Sequence, residues 1–161
     1  MFFKCQPIIL GSSPPCPSGW TSLATGCYKF INEVSYFSAI SQCKDEGGYL
    51  VDINSQGEQN ALWKFYNDSG LPQTRAKGRS EIWLGANDMK KEGYFEWDNS
   101  GKKMLFNAWS QGEPNGGKHQ NCVQARSWLD FKWVDQDCGY ISNAVCKYDS
   151  TGNRFSFAHI P

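Results

Sequence analysis

Seven cysteines constrain this chain more than any other feature: Cys5, Cys16, Cys27, Cys43, Cys122, Cys138 and Cys146. No two form a C-x-x-C pair, and with only two histidines in 161 residues a zinc site lacks its usual donors. So many thiols are rare in a reducing compartment. They read as a disulfide framework made in an oxidising, extracellular setting. Counting alone leaves the pairing open, and an odd number leaves one cysteine over.

Composition excludes several function classes. Sixteen Lys and Arg balance sixteen Asp and Glu, so no basic excess points to nucleic acid or to an anionic membrane. No stretch approaches the ~20 apolar residues of a membrane span. The first ten residues, with Lys4, Cys5, Gln6 and Pro7, break the apolar run of a secretory leader. Secretion is therefore expected from the cysteines. No Ser/His/Asp or Cys/His arrangement suggests catalysis, and His119 and His159 fall in a loop and a tail. The chain is expected not to be an enzyme.

The length fits one domain. Residues 1–15 close on Gly11-Ser12-Ser13-Pro14-Pro15 and read as a flexible lead-in. The domain is expected over 16–148, with a tail at 149–161. A hairpin follows Cys16. Ser35 then caps a helix that runs to Glu46, with Phe37, Ile40, Ser41 and Cys43 near one face, stopped by Gly47-Gly48. Ser55 and Glu58 form a capping box for a second helix carrying Leu62, Phe65 and Tyr66. Asn67-Asp68-Ser69 is a glycosylation sequon, and Arg75, Lys77 and Arg79 mark a basic loop. Ile82-Trp83-Leu84-Gly85 reads as a buried strand. Three short strands follow from Cys122, Lys132 and Ala144.

The chemistry concentrates at Gly112-Glu113-Pro114-Asn115. An X-Pro bond takes the cis form at little cost, and that form turns the flanking side chains to one side of a loop. Two convergent oxygens, joined by a third from the Trp133-Val134-Asp135 strand, suit a hard cation such as calcium. Glycine, proline and asparagine are also ordinary turn residues, so the loop alone specifies nothing.

Taken together, the ordered cysteines, the Trp83-Leu84-Gly85 strand, the Glu-Pro-Asn loop and the Trp-x-Asp strand resemble the long form of the C-type lectin-like domain. Perlucin-like secreted lectins are among the nearest resemblances. The resemblance implies an α+β fold, with two helices packed on small antiparallel sheets, a long irregular loop region and three disulfides. It implies the pairs Cys16–Cys27, Cys43–Cys146 and Cys122–Cys138. Cys5 is left over for an intermolecular bridge and a covalent dimer.

Sugar-binding relatives hold a principal calcium with two E-P-N side chains, a Glu before the next cysteine and the Asn-Asp of a W-N-D strand. Here the matching positions are Glu113, Asn115, Gln120, Val134 and Asp135. Gln120 offers a neutral oxygen and Val134 none. Calcium takes about six to eight oxygens and its affinity tracks ligand charge. The expectation is a weak ion at Glu113, Asn115, Gln120 and Asp135, or no ion. Of an auxiliary site, only Asp88 and Glu92 match; Gly116 and Asn121 stand where acids are usual. With calcium bound, Glu113, Asn115 and Asp135 would bind a sugar of the mannose, glucose, N-acetylglucosamine or fucose type. Trp128 or His119 would stack nearby. The rival reading is a domain with a degenerate calcium site that binds protein or a mineral surface, as in shell-matrix proteins.

Overall fold

The computed structural model describes residues 15–69 and 80–149. Cys5 and the basic residues Arg75, Lys77 and Arg79 lie outside the described residues. A short hairpin opens the fold: β1 (Thr21–Leu23) pairs with β2 (Gly26–Val34). The disulfide Cys16–Cys27 closes it.

Helix α1 (Tyr36–Asp45) follows at once. The Ser35 hydroxyl accepts the Ser38 N–H at 3.3 Å, satisfying one of the orphan donors of the first turn. Gly47 ends the helix at φ +84°, where a side chain would be strained. The buried face is Tyr36, Ala39 and Cys43. Phe37 is 55% exposed, so the apolar face expected through Phe37 and Ser41 is out of phase by one residue. Tyr36 wins the interior because its ring meets Trp83 edge-on and its hydroxyl accepts from the Asn87 amide.

β3 (Tyr49–Leu50) leads to α2 (Gln56–Asp68). Ser55 caps α2 by accepting the Glu58 N–H at 3.1 Å. Glu58 reaches back to the Asn54 N–H at 2.6 Å, one residue earlier than the standard box. Leu62 and Tyr66 are buried. Burial raises the Tyr66 hydroxyl to about 12.

The remaining strands are β4 (Glu81–Asn87), β5 (Glu96–Trp97), β6 (Cys122–Arg126), β7 (Lys132–Gln136) and β8 (Ser142–Tyr148). They join in the order β1-β2-β8-β4-β6-β7, with β3 on β8 and β5 on β4. All pairings between these strands are antiparallel except β4 with β8, where Ile82 faces Asn143 and Trp83 faces Ala144. That parallel pair fuses the small sheets into one. β4 is buried on both faces, which explains its unbroken apolar run. Ile82, Leu84 and Ala86 face one core with Leu62, Val123 and Trp133. Trp83 faces the other with Tyr36, Cys43 and Cys146. Disulfides Cys43–Cys146 and Cys122–Cys138 tie α1 to β8 and β6 to the turn after β7. No described helix is long and apolar enough to cross a membrane.

Between Trp97 and Cys122 the chain makes a long excursion with little regular structure. It is held where it matters by Trp133. The Trp133 N–H donates to Ala108 O at 2.8 Å, and its carbonyl accepts the Ser110 N–H at 2.8 Å. The Trp133 indole donates to Gln59 Oε1 at 3.1 Å, and Gln59 Nε2 donates to Phe131 O at 2.7 Å. One buried glutamine on α2 thus fixes the strand that carries the candidate site.

Candidate functional site

The loop after Ser110 turns through Gly112 at φ +82° and enters a cis Glu113–Pro114 peptide. Glu113 and Asn115 face the same side, since Asn115 Nδ2 donates to Glu113 Oε1 at 3.0 Å. β7 delivers Asp135 beneath them. Its two oxygens accept the N–H groups of Asn115 at 3.0 Å and of Gly116 at 2.8 Å. A buried carboxylate therefore clamps the loop backbone with two charge-assisted bonds. The geometry brings Glu113, Asn115 and Asp135 into one cluster.

Gln120 reaches it from the other end of the loop. Its side chain lies against Gly116, where an added Cβ would come within 2.2 Å of Gln120 Cβ and Oε1. Its Nε2 donates to Gln136 Oε1 at 3.3 Å. Both Gly116 and Gln136 were missed as site residues. Gly116 gave no sign beyond its place after the motif, because its role is to leave room.

The electrostatics of the cluster are unsettled. Glu113 Oε2 is buried without a hydrogen-bond partner. Burial, then the Asp135 carboxyl beside it, raises the Glu113 carboxyl to about 7. Asp88 is buried too, and its Oδ2 accepts the Gly93 N–H at 2.8 Å. Its Oδ1 has no partner, nor has Asn121 Oδ1, although Asp88 N–H donates to Asn121 O at 3.1 Å. Burial raises Asp88 as well, with the Asp135 charge a further cause. Unpaired buried acceptors are costly. Asp88 Oδ1 and Asn121 Oδ1 lie on adjoining segments, and the Asp135 charge acts on both Glu113 and Asp88.

The donor set is nonetheless thin. Val134 is buried at 2% exposure, and its side chain supplies no oxygen. Glu92 is exposed on the turn that Asp88 closes. Among the described residues no group of three or more His, Cys, Asp and Glu side chains is arranged to hold a metal. A hard cation here would find only a partial shell: carboxylates from Glu113 and Asp135, amide oxygens from Asn115 and Gln120. Arg126 lies 5.4 Å over the Trp128 ring. His119 is exposed in a 3-10 turn, Gly117–His119, on the same loop.

The family model for the Lectin C-type domain matches residues 32–148. The chain belongs to the C-type lectin family. Among curated relatives of this C-type lectin domain, a perlucin-like protein of Mytilus galloprovincialis is 30% identical over 132 residues, 78% of this chain and 81% of that protein. Human lithostathine matches in structure with a TM-score of 0.73 at 26% identity, covering 86% of this chain and 93% of that one. The carbohydrate-recognition domain of cow CD23, solved in the presence of a GlcNAc2Man3 oligosaccharide, matches with a TM-score of 0.67 at 30% identity, over 83% and 95% of the two chains.

Proposed function

We propose that this C-type lectin domain is an extracellular carbohydrate-binding module of mannose-type specificity with weak calcium assistance. The carrying observation is the shared side of Glu113 and Asn115 above Asp135, with a buried Glu113 oxygen left without a partner. Two side chains placed so can each accept a hydrogen bond from one of two vicinal sugar hydroxyls. A calcium ion held there would coordinate those hydroxyl oxygens. The protein's own part is to hold the loop rigid through Asp135 and to present the pair without rearrangement. The oligosaccharide present with cow CD23 supports this reading. Residues 16–148 form the binding domain in this proposal.

Affinity for the ion should be low, because two carboxylates and two amides fall short of a calcium shell. Retention on immobilised mannose, with millimolar calcium and then with chelator, tests the reading. The parent should be retarded with calcium and released by chelator. Gln120→Glu adds a charge without adding volume, so it keeps the fit against Gly116. It should raise calcium affinity by roughly tenfold, a change of ~1.4 kcal/mol, and mannose retention with it. No retention of parent or variant at saturating calcium would remove the sugar reading and leave a protein or mineral surface as partner.

A further inference from the structure

A second feature lies outside the Glu113 cluster. A groove of about 350 Å³ is lined by Asp52 and Asn54, which precede α2, by Trp97 of β5, and by Lys102, Lys103 and Phe106 of the long excursion. That volume falls in the lower range of small-ligand sites. None of its lining residues belongs to the cluster described above.

Its charge is unbalanced. Asp52 is committed to Lys147, whose ammonium lies 3.2 Å from Asp52 Oδ1 and is 6% exposed. Lys102 and Lys103 have no carboxylate partner among the described residues. Lys103 lies 5.2 Å over the Tyr94 ring, and Lys91 approaches the same ring at 5.8 Å. Lys103 is partly offset by the Tyr94 face, a weak interaction at exposed positions, and stands opposite Glu96 in a β-bridge, whereas Lys102 borders the groove without such an offset. The lining also offers the part-buried Phe106 ring and the exposed Leu105 at the rim, at 83%, over a Trp97 indole that is 2% exposed. Ser100 and Asn54 supply groups that both donate and accept.

We infer that this groove is a calcium-independent subsite for an anionic pyranose, a sugar unit bearing a sulfate or carboxylate. Such a unit matches each element of the lining. Its C–H face packs on Phe106 and Leu105, its hydroxyls meet Ser100 and Asn54, and its acid meets Lys102, with Lys103 adding to the positive field. Lysines bind such groups as point charges rather than by a planar fork. The subsite stands apart from the mannose-type reading, and neither depends on the other.

Calorimetry in chelator at low salt tests it, with tetrasaccharides of chondroitin sulfate, hyaluronan and maltose as probes. Chelator takes the Glu113 cluster out of the readout, so failure here is separate from failure on the mannose column. At least one acidic probe should bind and the neutral one should not. Binding of the sulfated probe alone assigns a sulfate, and binding of both assigns any acid. Lys102→Gln with Lys103→Gln should weaken binding by roughly tenfold, ~1.4 kcal/mol. Lys44→Gln with Lys64→Gln removes the same charge from the exposed faces of α1 and α2 and should leave binding unchanged. Absence of acidic-probe binding, equal binding of the neutral probe, or equal loss in both double variants would overturn the inference.

Discussion

At the scale of single residues, Asp135 and Glu113 share one region of negative charge but serve differently. Asp135 spends both oxygens on the backbone of Asn115 and Gly116, so its work is structural before any ligand arrives. Glu113 keeps an oxygen free, and burial raises its carboxyl from 4.5 to about 7. The consequence has a definite sign. Between those values the folded protein holds a proton that the unfolded chain has released, so this residue's contribution to stability is lost as pH rises. In chelator, the parent should therefore lose thermal stability relative to Glu113→Gln from about pH 4.5 to about pH 7. Parallel melting curves for the two across that window would contradict the assignment. Calcium should show the opposite trend and bind more tightly as pH rises, since only the carboxylate form is a ligand. The Glu113–Asn115–Asp135 grouping was legible because three polar types stood at a recognisable spacing. Gly116 and Gln136 were not, because one acts by having no side chain and the other by contact across sixteen residues. Val134 was legible as a missing side-chain oxygen, and the structure adds that its side chain is spent on the interior.

At the scale of elements, caps and breakers were readable and phases less so. Ser35 and Ser55 start their helices as expected, because a side-chain oxygen that accepts from the first turn is a local matter. The face of α1 was misread because Phe37 and Tyr36 are equally apolar in pattern, and only the contact with Trp83 selects Tyr36. Gln59 looked like an ordinary polar helix residue. Its amide instead bridges Trp133 and Phe131 across the interior. Gln59→Leu should strand the Trp133 indole N–H and the Phe131 carbonyl. The cost expected is ~2–4 kcal/mol, one to two unsatisfied buried groups, read by urea denaturation. Mannose retention should fall with it if β7 shifts. A loss below ~0.5 kcal/mol, the range of ordinary surface changes, would show that water replaces the amide.

At the scale of the whole molecule, the cysteines carried most of the architecture. Cys43–Cys146 spans a separation of 103 residues and locks α1 onto the central strand β8. Replacing both with Ala should cost ~2–5 kcal/mol, seen as a lowered thermal midpoint. An unchanged midpoint would mean that the two cores already hold these elements together. Topology was less legible. The parallel contact of β4 with β8 joins residues 82–83 to 143–144, and no local pattern announces such a pairing. The Lys102–Lys103 groove escaped for the same reason, since its walls come from two distant segments.

The central claim is that the Glu113 loop, held by Asp135, meets a sugar with calcium's help. The amide resonances of Asn115 and Gly116, whose N–H groups donate to Asp135, report on that loop directly. A two-dimensional NMR titration with methyl α-mannoside, first in chelator and then in millimolar calcium, reads them. The account predicts shifts centred on residues 113–116 and Asp135, present with calcium and absent without it. Unmoved Asn115 and Gly116 signals at saturating calcium and sugar would contradict it.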